Sequence, residues 1–306
     1  MLNISFIFPG QGAQVVGMGK EFYDASAKSK EIFDKADRLI PSLKDVTFNG
    51  PQEKLTSTAF CQPAIFTYSM AALEAFKAHP KYKLIQPVFA CGLSLGELSA
   101  VCASGALTFD EALKIVERRS AFMDEACRLR KGAMAAVIGM DKDKIIELCL
   151  QCQAEVANFN SPDQTVITGT AQSVDDAARL IKEQGAKRVI ALDVAGAFHS
   201  SLMKPAVPKF QEELKKAYFK IPAFPVVSNV DAVSENNPDY IRRNLSLQIT
   251  SSVQWVNTVN FIAAQGVSHF IEIGPGTVLK GLIRKINPEL KVFNIQTPQD
   301  IESLVF

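Results

Sequence analysis

Short, strongly apolar runs alternate along the chain with longer stretches in which apolar positions recur every three or four residues. Ile4 to Phe8 and Val88 to Cys91 are such runs, each followed by a glycine turn, and His269 to Ile273 and Lys291 to Ile295 are similar. Runs of this length predict buried strands. Helical spacing covers about Glu31 to Ile40, Pro63 to Ala78, Phe109 to Cys127, Pro205 to Phe219 and Val253 to Ala264. The order strand, turn, helix, strand predicts an α/β fold with a mostly parallel sheet and helices on both faces.

The middle of the chain breaks this rhythm. Ala133 to Ile138 reads as a strand, Asp141 to Cys152 as a helix, and Glu155 to Asn158 and Thr165 to Thr168 as two strands joined across Asn160-Ser161-Pro162-Asp163. A helix over Ser173 to Gln184 and a strand over Arg188 to Leu192 complete the order βαββαβ, the ferredoxin-like arrangement. The expected organisation is a large α/β body from residues 1–131 and 194–306, with a small ferredoxin-like subdomain, 132–193, inserted in it. A cleft between two such bodies is the place to expect a ligand.

Composition narrows the function. The 306 residues are 47% apolar, which excludes a disordered or fibrous chain. A net charge of +1 argues against nucleic-acid binding as the main task. The first residues, Met1 to Phe8, carry no basic leader, and no stretch approaches the roughly 18 apolar residues of a membrane span. Six scattered cysteines fit a reduced, cytoplasmic protein. Cys149 and Cys152 stand three apart on an amphipathic helix with no second pair and no nearby histidine, so packing is expected there and no metal. Gly10-Gln11-Gly12 and Gly274-Pro275-Gly276 are not dinucleotide fingerprints, and no phosphate-loop lysine is present. No cofactor is expected.

Gly92-Leu93-Ser94-Leu95-Gly96 fits G-x-S-x-G between an apolar strand and a helix. A turn this tight needs small flanking residues and holds the serine hydroxyl out at the edge of the sheet. The N–H of Leu95, in the first helical turn, has no intrahelical partner and is free for an oxyanion. A glycine-rich turn with an incidental serine stays open as the alternative. A hydroxyl needs a base, and the chain has three histidines. His79 sits at a polar helix end and His269 opens a strand. His199 lies between a strand and a helix, where sheet-edge sites collect their groups.

On the helix from Phe109, the residues Ala112, Ile115, Val116, Phe122, Met123 and Ala126 share the apolar face with Phe109. Arg119 falls in the middle of that face, while Arg118 points to water. A buried arginine keeps its proton and needs an anion. That anion is either a carboxylate of the same chain or the carboxylate of a ligand. In the second case the acyl group would be a dicarboxylate half-ester or half-thioester.

Several segments together resemble the malonyl-CoA:acyl carrier protein transacylases: Phe8-Pro9-Gly10-Gln11-Gly12-Ala13-Gln14, Gly92 to Glu97, Asn158 to Pro162, Ala197 to Met203, Ala263-Ala264-Gln265-Gly266 and Ile273 to Gly276. The resemblance implies a hydrolase-like core in which Ser94 is the nucleophile and His199 its base. It further implies that Gln11 and Leu95 supply oxyanion N–H groups and that Arg119 holds the malonyl carboxylate. The Gln248 backbone carbonyl would orient the histidine, with Asn160 beside the substrate. Phe198 stands where related acyltransferases carry Phe for malonyl and Ser for methylmalonyl. Malonyl-CoA and holo acyl carrier protein are the implied partners, and a monomer is expected. Two positions depart from the pattern: Leu93 replaces the usual His, and Ser252 replaces a frequent Pro. Other acyltransfer, as in polyketide synthesis, stays open, as do a serine esterase or thioesterase and a non-catalytic acyl-CoA-binding module. The basic cluster Lys182, Lys187 and Arg188 is either a solvated face or a seat for an acidic carrier.

Overall fold

The apolar runs at both ends of the chain meet in one sheet. In the computed structural model, which describes residues 1–306, the strands are β1 (Leu2–Phe8), β2 (Ile85–Gly92), β3 (Gly132–Ile138), β4 (Glu155–Ser161), β5 (Gln164–Thr170), β6 (Arg188–Ala191), β7 (Val226–Val227), β8 (Ser234–Glu235), β9 (His269–Ile273) and β10 (Lys291–Ile295). Six form a sheet in the order β10-β9-β1-β2-β7-β8, parallel except for the β7–β8 pair. β1 lies inside it, and Ile4, Phe6, Ile7 and Phe8 are fully buried, because helices cover both faces of the sheet. Ile4 pairs with Pro87 but Ser5 with Phe89, so a bulge takes up Val88 beside a proline that has no N–H to give the ladder.

The helix Thr58–Ala78 is apolar nearly all round and forms much of the core. It begins five residues before the expected start at Pro63, which lies inside it. The helix Phe109–Leu129 starts at a capping box, with the Thr108 side chain accepting from the Glu111 N–H and the Glu111 carboxylate accepting from the Thr108 N–H. No helix is long and apolar enough to cross a membrane.

The remaining strands form a second, antiparallel sheet in the order β4-β5-β3-β6, the ferredoxin-like order predicted for the insert. Period-two alternation gives its faces different tasks. On β3, Ala135 and Val137 pack under the helices Lys142–Gln151 and Ala171–Glu183 with Ile145, Leu148, Cys149 and Ile181. Met134 and Ala136 point the other way and meet Val166, Leu192, Val194 and Phe198. This helix-free face is turned toward the large sheet. The outer edge of β4 is covered by the segment before the helix Trp255–Ala264. Phe159 N–H donates to Val253 O (3.0 Å), Val253 N–H to Ala157 O (2.8 Å), and Ser252 Oγ to Val156 O (2.5 Å). All six cysteines are free thiols.

Candidate active site

β2 ends at Gly92 and a helix, Leu95–Ala103, starts three residues later. Ser94 bridges them at φ 52°, ψ −103°, a conformation costly for a side-chain-bearing residue. It persists because the turn is clamped. A Cβ on Gly92 would lie 2.1 Å from the Gly96 carbonyl carbon, and one on Gly96 would lie 2.1 Å from Phe8 O. The strand, turn and helix touch backbone to backbone, which only glycine permits. Gly96→Ala is therefore expected to cost about 2 kcal/mol or more, read as a fall in the thermal unfolding midpoint. One amide holds the turn from both sides. Asn229 Oδ1 accepts the Ser94 N–H (2.7 Å), and Asn229 Nδ2 donates to Gly92 O (2.7 Å).

His199, also at positive φ (56°), puts Nε2 2.8 Å from Ser94 Oγ. Its Nδ1 lies 2.9 Å from the backbone O of Gln248. A carbonyl can only accept, so Nδ1 carries the hydrogen and Nε2 is left as an acceptor facing the hydroxyl. Burial, with the positive charge of Arg119 adding to it, pushes the imidazole down to about 4, so it is neutral at physiological pH. The Gln248 carbonyl occupies the place a carboxylate takes in a triad.

Arg119 is 1% exposed. Its Nη1 donates to Gln62 Oε1 (2.8 Å), and its Nη2 donates to Gln248 Oε1 (2.9 Å) and Ser94 Oγ (3.0 Å). These partners are neutral, and Nε has none. Burial lowers the guanidinium to about 10, partly countered by Glu97, and it stays charged at neutral pH. Of the two anions the sequence left open, an ion pair within the chain is absent. The charge lies against the hydroxyl instead.

A cavity of about 230 Å³ opens between the two sheets. Gln11, Ser94, Leu95, Arg119, Asn160, Phe198 and His199 all line it, and Gln248 reaches it through its contacts. The Asn160 Oδ1 is buried there without a partner. Leu93 adds an apolar wall where a polar ring was expected from the resemblance. Lys182, Lys187 and Arg188 are exposed and do not line the cavity. A hydroxyl facing a neutral imidazole and a cation held only by neutral partners can give up its proton and attack an electrophilic carbon.

Three side chains that frame this site were not among those singled out in the sequence: Gln62, Asn229 and Glu97 in its buried position. Gln62 and Glu97 carry the signal that exposed Arg119, a strongly polar side chain among mainly apolar helix positions. Asn229 carries none, since it sits in a loop after a two-residue strand.

The acyl transferase domain family matches residues 5–294. The malonyl CoA-acyl carrier protein transacylase of Bacillus subtilis (strain 168) is 44% identical over 99% of this chain and 96% of its own length. The solved structure of the malonyl CoA-acyl carrier protein transacylase of Coxiella burnetii superposes with a TM-score of 0.94 at 35% identity, over 99% of this chain and 96% of that one. A malonyl-transacylase solved in complex with the holo acyl-carrier protein of a type II polyketide synthase superposes at 0.93, also at 35% identity, over 98% of both chains. With sequence, fold and full-length coverage in agreement, the chain belongs to the acyl transferase domain family, among the malonyl CoA-acyl carrier protein transacylases.

Proposed function

We propose that this protein transfers a malonyl group from coenzyme A to the phosphopantetheine thiol of acyl carrier protein, by way of a malonyl ester on Ser94. The observation that carries the reading is the buried Arg119 guanidinium, in direct contact with no carboxylate of the chain and 3.0 Å from Ser94 Oγ. It is a seat for an acyl group that brings its own carboxylate.

His199 Nε2 takes the Ser94 proton as Oγ bonds to the thioester carbon. The oxygen that becomes negative rests on the N–H groups of Gln11 and Leu95. Collapse breaks the carbon–sulfur bond, and His199 returns its proton to the coenzyme A thiolate. The carrier thiol then enters, loses its proton to His199, attacks the ester, and Ser94 leaves with that proton. A carbonyl supports the imidazolium less than a carboxylate would, and a thiolate leaves readily enough for that to suffice. No cofactor takes part.

The reading is tested by intact-protein mass after incubation with malonyl-CoA. The expected result is a malonyl adduct that survives without carrier and moves to holo carrier protein when it is added. Rapid hydrolysis without carrier would favour a thioesterase, and binding without an adduct would favour a non-catalytic module. The malonyl-carrier product feeds chain elongation in fatty acid synthesis; parallel assays with a fatty-acid and a polyketide carrier separate the two pathways. The cavity is lined entirely by one chain, which supports a monomer, and six free thiols support a reducing, cytoplasmic setting.

Two expectations follow from the site. Acylation by an uncharged acyl thioester should stay flat as pH falls from neutrality, and decline only near pH 4 as His199 takes a proton, measured as kcat/KM. Phe198 lines the cavity next to His199, so Phe198→Ser should raise methylmalonyl transfer relative to malonyl by about tenfold, given one to three kcal/mol per methyl group.

A further inference from the structure

The helix Leu95–Ala103 carries one charged side chain, Glu97, and it is 2% exposed. The chemistry above does not use it. Its Oε2 accepts from Gln248 Nε2 at 2.5 Å and from the Asn229 N–H at 3.1 Å. The same Gln248 Nε2 donates to Ser94 O (3.0 Å), while Gln248 Oε1 accepts from Arg119 Nη2 (2.9 Å). An amide has one donating and one accepting end. Turned over, Gln248 would set its NH₂ against the guanidinium, and its oxygen against a carboxylate and a carbonyl. The carboxylate, together with the Ser94 carbonyl, thus holds the donating end away from Arg119 and turns the accepting end toward it. Cation and anion face each other across a single neutral amide.

We propose that Glu97 is a positioning residue for acyl groups that bear a carboxylate: ionised beneath the serine turn, it locks the Gln248 amide in the orientation that holds Arg119 beside Ser94 Oγ. The inference rests on the malonyl-transfer reading and adds a residue to it. Glu97 also takes the Asn229 N–H, so a purely structural role, steadying the turn, is the competing account. That role would slow transfer of every acyl group alike.

The charged and titratable groups facing Glu97 are Arg119 on the helix Phe109–Leu129, Asp231 on the loop after β7, and Cys91 on β2. Burial raises the carboxyl to about 7, Asp231 adds to the rise, and the hydrogen bonds from Gln248 and Asn229 together with Arg119 oppose it. Cys91 is pushed up by its own burial and stays uncharged. Glu97 is therefore ionised above about pH 7 and gains a proton below it. Once protonated, it can donate to an amide oxygen as well as accept from the amide nitrogen, and its share in holding Gln248 is lost, leaving the Ser94 carbonyl and Arg119 alone to orient the amide.

The test compares kcat/KM for enzyme acylation by malonyl-CoA and by acetyl-CoA in four proteins: wild type, Glu97→Gln, Arg119→Ala and the double variant. Glu97→Gln should lower the malonyl value about 10- to 100-fold and the acetyl value less than about threefold. In the Arg119→Ala background it should cost malonyl transfer nothing more, because the effect runs through the arginine. In wild type the malonyl-to-acetyl ratio, from which the shared titration of His199 cancels, should fall as pH drops through about 7. Equal losses for the two acyl groups, or losses that add to those of Arg119→Ala, would overturn the proposal. If Glu97→Gln does not fold, the wild-type ratio decides, and a ratio flat across that range overturns it. A wild-type enzyme that forms no malonyl ester would instead sink the malonyl-transfer reading itself.

Discussion

Replacing Ser94 by alanine should leave a folded protein that forms no malonyl ester, with transfer reduced by at least about 10⁴-fold. The oxygen removed is the one on which the site converges. His199 Nε2 lies 2.8 Å from it and Arg119 Nη2 3.0 Å. Without it no carbon–oxygen bond can form, and neither neighbour can take its place. The fold should survive because the strained turn is held through the Ser94 backbone N–H and Asn229, which alanine keeps. Intact-protein mass after incubation with malonyl-CoA, with thermal unfolding alongside, checks both halves of the expectation. A malonyl adduct of undiminished size on the variant would remove Ser94 from the mechanism.

The second large effect is expected at Arg119. Arg119→Ala should lower malonyl transfer about 100- to 4,000-fold while acetyl transfer holds or rises. Leaving a buried carboxylate without its cation costs about 3–5 kcal/mol, and an acetyl group presents no carboxylate. The variant also leaves Gln62 Oε1 and Gln248 Oε1 without their donor. Some loss of stability should accompany it, so the comparison of two acyl groups on one protein carries more weight than either rate alone. Arg119→Lys would keep the charge, but an ammonium lacks the planar fork that meets Gln62, Gln248 and Ser94 together. Lysine should thus restore only part of the preference. Equal loss of malonyl and acetyl transfer in Arg119→Ala would assign the residue to the framework.

The fold was legible where one period dominated. β9 and β10 run over the residues their apolar pattern predicts, and the inserted segment follows the predicted succession βαββαβ. β7 and β8, two residues each, are too short to show any period. The helix Pro238–Gln248, which delivers Gln248 to the site, was missed although its start is written in Asn237-Pro238. The Asn237 side chain caps the first turn, and Pro stands at the first helical position. Of the site, Arg119 stood out because a cation on an apolar face is a local anomaly. The pairing of Ser94 with His199 came by elimination among three histidines. The network of Gln62, Glu97, Asn229 and Gln248 joins distant segments through side-chain amides. No spacing along the chain encodes such contacts, since only the folded arrangement sets donor against acceptor.

The helix-free face of the small sheet has a consequence for how this scaffold can diversify. Ser94, Arg119, His199 and Gln248 all stand on the large body, whereas Met134, Asn158, Asn160, Val166 and Leu192 reach the cavity from the inserted strands and their ends. On the proposed function, bond making and much of the lateral wall around the transferred group would thus be encoded in separate stretches of the gene. Exchanging the insert between homologues, or randomising those five positions, offers a route to new acyl appetites that leaves the reactive machinery intact.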